Sequence, residues 1–327
     1  LRHRIEVHLQ PGGRKQFVQS IVVNVASEDL IAYYGADAGP AVTHNVYSVT
    51  KSVMSMLVGI AISEGRIRSV DATLTELLPQ YATTMAPVVG RVTLKQLLTM
   101  TGGFPVDERP WYAPGADWTA LTIQTRLRQP PGKGFLYSSP GAHLLSAILV
   151  RATGTSVLDY AREKLFDPLG ISTRPADEPV LSQQYVRGYD ALPGFGWSTD
   201  PQGLHLGLAD LKITAPDMIK LGRLYVQQGR WDGRQLVPAA WVRESTRSQV
   251  VAEQNAAGTI GYGYLWWVLP STDHPAYAAI GFAGQLIEVV PDLELVVAVS
   301  CKDAPGWFGS GDFIDLIDEQ IIPVLTR

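Results

Sequence analysis

Ser48 and Lys51 stand three residues apart in "HNVYSVTKSVMSMLVGIAISEGRI", where a polar stretch gives way to a long apolar run. Residues at this spacing on a helix share a face, so the serine Oγ and the lysine Nζ can meet. Ser48 would then lie at the amino end of the helix, where amides and the helix dipole favour negative charge developing on an attacking oxygen. A lysine works as a base only where water is kept from it, and Met54, Met56, Leu57 and Val58 supply such surroundings. The chemistry that fits is attack by an activated serine on an electrophilic carbon. The same four residues also fit an ordinary helix start, with the serine as cap and the lysine reaching back to water.

Two further polar stretches could complete a site. In "GKGFLYSSPGAHLLSAIL", Tyr137, Ser138 and Ser139 precede another apolar helix, placed where side chains can face a cleft. In "AIGFAGQLIEVVPD", Gly281 and Gly284 flank Phe282 and Ala283 between two strands. Glycines there permit a bulge or close backbone approach and let the amide of Gln285 face a ligand; a plain tight turn is the alternative. The loop "RPWYAPGADW" offers Trp111 and Tyr112 as contacts for an apolar group, or as anchors of the loop itself.

The elements that must position these groups follow from local pattern. Gln19–Ala26 and Asp29–Gly35 read as a hairpin around Ser27-Glu28. Ser52–Ser63 is apolar on nearly every face, as in a helix buried all round, with Gly65 as its left-handed stop. Helical runs at Thr93–Thr99, Gly141–Ala152, Val157–Leu165 and within Asp210–Gln228 alternate with Gly/Pro-rich loops. Strand patterns return in "YGYLWWVL", "AYAAIGF", "QLIEVVP" and "ELVVAVSC", before a last amphipathic segment at Phe313–Ile322. Of Trp266 and Trp267, alternation along a strand sends at most one to the core. Sheet-forming residues therefore occupy both ends of the chain. The expected architecture is an α/β sheet domain from residues 1–69 and 255–327, a mostly helical insertion at 70–254, and a cleft between them.

Composition narrows the function. A net charge of -4, with no basic run, argues against nucleic acid or an anionic membrane surface and favours a small-molecule ester or amide substrate. No apolar run reaches the length of a membrane-spanning helix. The single cysteine, Cys301, rules out an intrachain disulfide and reads as a small buried hydrophobe. The six histidines show no metal-ligand spacing and read as turn or surface residues, so no metal or organic cofactor is expected. The chain begins at Leu1, which implies removed sequence; a signal peptide there would mean a periplasmic or secreted protein, and its absence a cytoplasmic one. The oligomeric state has no signature in the sequence.

Taken together, the three polar stretches resemble the S-x-x-K serine hydrolases, the superfamily of class C β-lactamases and penicillin-binding proteins. The nearest resemblance is to the branch of 6-aminohexanoate-dimer hydrolases and esterases. It extends from the "SIVVNVASEDLIAYYG" hairpin to the last helix and includes "LKQLLTMTGGF", "GLHLGLADLKITAPDMIKLGRLYVQQGRWDGRQLVPAAWV" and "YGYLWW". The resemblance implies a β-lactamase/transpeptidase-like fold, an antiparallel sheet flanked by helices, and an acyl-enzyme on Ser48. It assigns Lys51 and Tyr137 to proton transfer and the amides of Ser48 and Gln285 to the oxyanion hole. Ser139, Phe282, Ala283 and Gly284 fall on its substrate-binding positions. Two positions depart from the pattern: Ser139 stands where asparagine is usual, and Phe282 where many relatives carry lysine or histidine. These departures point away from efficient β-lactam hydrolysis, and the resemblance to the 6-aminohexanoate-dimer hydrolase and esterase branch implies ester or amide hydrolysis. The alternatives are a D-amino-acid peptidase, a weak β-lactamase, and, in another class, a non-catalytic binding or sensor protein.

Overall fold

The computed structural model describes residues 1–9, 17–113, 115–180, 189, 192–255, 258–270, 273–302 and 310–326. β1 (Val18–Val25) and β2 (Glu28–Tyr34) form the first hairpin. Ala26 and Ser27, between them, both take positive φ, 49° and 74°, a turn whose twist suits antiparallel strands. β3 (Thr43–Asn45), β4 (Ala176–Asp177), β5 (Phe195–Trp197) and β6 (Leu211–Thr214) make a small sheet in the order β3-β6-β5-β4. β7 (Arg230–Trp231) and β8 (Arg234–Gln235) are a separate short hairpin. The remaining strands are β9 (Val250–Asn255), β10 (Gly258–Tyr262), β11 (Trp267–Leu269), β12 (Ala276–Gly281), β13 (Gln285–Val290) and β14 (Leu295–Cys301). They join the first hairpin in an eight-stranded antiparallel sheet, β2-β1-β14-β13-β12-β11-β10-β9.

The helices that matter most are α1 (Arg2–Leu9), α2 (Val49–Ser63), α3 (Ser139–Thr153), α4 (Ala215–Val226) and α5 (Ser310–Leu316). One face of the sheet, with Val22, Ile287, Val289 and Val296, shares a core with α2, α3 and α4. The other face, with Ile21, Val23, Leu286 and Val299, meets Ile5 of α1 and Phe313 and Leu316 of α5. Both faces being covered explains why β14 is buried along its whole length and shows no polar alternation. Cys301, at its end, is buried, and burial pushes its thiol well above the ordinary range.

α2 is buried from Val49 to Ala61, wedged between the sheet and the helical layer, and stops where Gly65 takes φ 71°. Two elements of the insertion expected at 70–254 lie on the sheet instead. β9 starts at Val250 as its outermost strand, and α4 packs on β13 and β14. Helical periodicity marks an element but not the layer it covers. No single helix among the described residues is long and apolar enough to cross a membrane.

Candidate active site

The turn into α2 is held by the segment before β6. Val46 N donates to Leu211 O at 2.9 Å, and Leu211 N donates to Thr50 Oγ1 at 3.2 Å. Asn45 uses both ends of its amide: Oδ1 accepts from Tyr47 N at 2.8 Å, and Nδ2 donates to Asp210 Oδ1 at 3.0 Å. These bonds hold Tyr47 at φ 45°, a conformation side chains rarely adopt and one that costs on the order of 1–3 kcal/mol. Ser48 follows as the N-cap residue of α2, yet its backbone is helical and its side chain makes no capping hydrogen bond. Its Oγ instead accepts from Lys51 Nζ at 2.9 Å.

Lys51 is 1% exposed, so its stem does not carry the amine back to water. Its Nζ also donates to Leu208 O at 2.7 Å and stands 4.9 Å from the centre of the Tyr137 ring. Both features of an ordinary helix start, a capping serine and a solvated lysine, are therefore missing. A carbonyl and a ring face can only accept hydrogens. Those two contacts fix the direction of the amine and leave Ser48 Oγ, a hydroxyl that can both donate and accept, as its third neighbour.

Tyr137 reaches this point from the turn before α3. Trp267 lies parallel to its ring at 6.0 Å, while Tyr262 meets it edge-on at 6.4 Å. Burial, and then the proximity of Tyr137, pushes the Tyr262 phenol well above its ordinary range. Trp266 is buried completely and Trp267 only partly, in keeping with opposite directions along the chain. Ser138, not Ser139, caps α3: its Oγ accepts from Gly141 N at 3.1 Å and donates to Pro105 O at 2.7 Å. Ser139 is the half-buried first residue of that helix.

The β12–β13 connection is brought to the same turn by close backbone contact. A Cβ on Gly281 would lie 2.3 Å from Val46 O, two residues before Ser48. Phe282, 42% exposed, meets Tyr47 edge-on at 5.5 Å; Ala283 and Gly284 are buried, both at positive φ. Gln285 begins β13 opposite Gly281. Its buried side chain donates to Cys301 O at 2.9 Å and accepts from Cys301 N at 3.3 Å, which leaves its backbone to do any work at the site.

Trp111 is 3% exposed, stacked on Trp118 at 4.3 Å, with Nε1 donating to Thr122 Oγ1 at 3.2 Å. It is an anchor of its loop, and one edge borders a cavity of about 710 Å³ that Pro105, Arg126, Arg128 and Pro140 also line. None of Ser48, Lys51, Tyr137 or the 282–285 segment lines that cavity. The Tyr112 side chain lies outside the described residues.

The reading of the histidines as turn or surface residues is corrected for three of them. His44, His143 and His205 are buried. Burial and then the Lys212 ammonium push His44 down to about 4; burial also lowers His205, against the pull of Glu178. Spacing gave no warning, because a histidine's partner need not be near in sequence: His143 Nε2 lies 3.0 Å from Asp200 Oδ2. The Leu208 carbonyl was likewise missed, since a backbone group leaves no residue-type signal.

A serine-lysine pair at the start of a buried helix, between an antiparallel sheet and a helical layer, defines an α/β protein of the β-lactamase and penicillin-binding-protein type. The chain belongs to the beta-lactamase family, whose sequence profile matches residues 21–316. It is 26% identical over 341 residues to penicillin-binding protein 4 of Amycolatopsis lactamdurans, covering 97% of this chain and 86% of that protein. It is 25% identical over 322 residues to a 6-aminohexanoate-dimer hydrolase of Paenarthrobacter ureafaciens, covering 89% and 75% respectively. Among solved structures, a penicillin-binding protein homologue from Caulobacter crescentus superposes with a TM-score of 0.72 at 20% identity, over 97% of this chain and 94% of that one. Membership of that family makes the protein a serine hydrolase.

Proposed function

We propose that the protein cleaves a carboxylic ester or amide through an acyl-enzyme on Ser48. The observation that carries this reading is the uncapped Ser48 Oγ, bonded at 2.9 Å to a lysine amine shut away from water. Ser48 Oγ attacks the carbonyl carbon as its proton passes to Lys51 Nζ. The tetrahedral oxyanion is held by the amides of Ser48 and Gln285; one such donor is worth roughly 2.7–4 kcal/mol in the transition state. Collapse breaks the carbonyl–leaving-group bond. The leaving oxygen or nitrogen takes a proton from the Tyr137 hydroxyl, which Lys51 replenishes. Water then attacks the acyl carbon, gives its proton to the same pair, and Ser48 leaves with a proton restored. Phe282 and Tyr47 form an aromatic rim beside the nucleophile that suits a neutral, apolar acyl group better than a carboxylate. The similarity to a 6-aminohexanoate-dimer hydrolase of Paenarthrobacter ureafaciens is in keeping with this range.

Time-resolved intact-mass measurement with a panel of p-nitrophenyl esters, a D-amino-acid amide and a chromogenic cephalosporin tests the reading. The expected result is a transient acyl adduct on wild type, fastest with an apolar ester, and none on Ser48→Ala, which stays folded. An adduct that forms and never clears favours a binding or sensor protein. An adduct mapped elsewhere than Ser48 refutes the assignment.

A further inference from the structure

The buried His143–Asp200 pair does no chemistry in this scheme, yet the residue that His143 bonds, Gly207, directly precedes the Leu208 carbonyl that holds Lys51. His143 lies on α3, six residues after Tyr137, with its side chain 1% exposed. Trp111 and Trp118 both meet its ring edge-on at 5.5 Å. Nδ1 accepts from Gly207 N at 3.3 Å, and because a backbone N–H can only donate, the ring proton belongs on Nε2, where it points at Asp200 Oδ2. Asp200 is fixed in turn: Oδ1 accepts from Gln202 N at 2.9 Å and from Leu204 N at 2.8 Å. The loop backbone lies directly on α3, since a Cβ on Gly207 would be 2.7 Å from Ser146 Oγ and 3.1 Å from Ala142 O. The next residue is Leu208, whose carbonyl accepts from Lys51 Nζ at 2.7 Å.

We infer that His143 is a positioning residue for acylation: held by Asp200 with Nδ1 as acceptor, it pins the Gly207 amide and thereby aims the Leu208 carbonyl at Lys51, which turns the amine toward Ser48. The inference rests on the Ser48–Lys51 reading and adds a third element to it, tying α3, the helix that follows Tyr137, to the amine.

The two ring nitrogens can be separated by substitution. Asparagine places an acceptor near the position of Nδ1, whereas glutamine places its amide near Nε2, so His143→Asn keeps the bond to Gly207 and His143→Gln keeps the one to Asp200. Acylation by p-nitrophenyl butyrate is followed by stopped flow and normalised to active sites titrated with a fluorophosphonate. The titration is read by peptide mapping. His143→Gln is expected to acylate at least about tenfold more slowly than wild type with KM nearly unchanged, and His143→Asn to recover most of the rate. A merely structural role would lower the titratable fraction in both variants and leave the rate per site alone. Gly207→Ala, which pushes the loop off α3, is expected to show the same rate defect, relieved by adding Ser146→Ala; this pair decides the matter if His143→Gln does not fold. His143→Gln, or Gly207→Ala in its place, acylating within about threefold of wild type per site overturns the inference and leaves the Ser48 reading standing. Wild type unlabelled at Ser48 overturns the reading on which it rests.

Discussion

Gly281→Ala tests whether the β12–β13 connection belongs to the site. The added Cβ would sit 2.3 Å from Val46 O and 2.9 Å from Gln285 Cβ, where ordinary contact needs more than 3 Å. Val46 cannot give way readily, because its N–H is bound to Leu211 O and its carbonyl opens the turn that carries Ser48. The hairpin end must therefore move, by roughly 1 Å, and it takes the Gln285 amide with it. Displacement of that order costs about 10²-fold in rate, close to the loss of one oxyanion donor, while overpacking costs the fold only ~1–3 kcal/mol. Single-turnover acylation with an activated ester, normalised to titrated Ser48, should thus fall by about 10²-fold in a protein that still unfolds cooperatively. A folded variant that acylates within about threefold of wild type would refute the placement of Gln285 in the oxyanion hole.

Tyr137→Phe keeps the ring face over Lys51 and the stack on Trp267 but removes the hydroxyl. Acylation by an amide or poorly activated ester should slow at least about tenfold, and a rate within about twofold of wild type removes the tyrosine from proton transfer. Asn45→Ala frees Tyr47 N and one partner of Asp210, so stability should drop by about 1–3 kcal/mol in urea unfolding. Acylation per folded molecule should fall with it; an unchanged rate would mean that the turn holds Ser48 without Asn45. Glu288 is fully buried, neither oxygen has a partner among the described residues, and burial followed by the Asp318 charge raises its carboxyl well above the ordinary range. The folded state keeps that proton after the unfolded chain has lost it, so stability declines by about 1.4 kcal/mol per pH unit above the unfolded value near 4.3, until the folded carboxyl ionises. Glu288→Gln removes this slope: its stability relative to wild type should grow with pH in urea titrations between about pH 5 and 8, and a constant difference would contradict the buried acid.

Much of the candidate site was legible because the side chains proposed for its chemistry lie at helical spacing or just before apolar helices. Ser48, Lys51 and Tyr137 stood out by type and by the apolar runs that follow them, and the glycines around Phe282 marked a close approach. The eight-stranded sheet was legible in outline, since covered strands leave long β-branched runs. What escaped was carried by groups without a signature. The Leu208 carbonyl is a backbone atom, the positive φ of Tyr47 is imposed by Asn45 and Leu211, and His143 meets a partner 57 residues away. The capping role open to Ser48 went to Ser138 at the other helix, a choice local propensity cannot make. Trp111, which the sequence left as either a ligand contact or an anchor of its loop, is held by Trp118 and Thr122.

The order of strands has a consequence for how the protein is made. β1 and β2 reach the rest of the sheet only through β14, with Ser20 opposite Ser300. At about 5–20 residues per second, the ribosome takes on the order of tens of seconds to deliver that last strand after the first hairpin has emerged. Through that interval the nascent hairpin shows an unpaired edge and two uncovered apolar faces, a natural resting place for a holdase. Nothing in the growing chain can be acylated in a finished pocket until β14 has emerged to join β1 to the other strands.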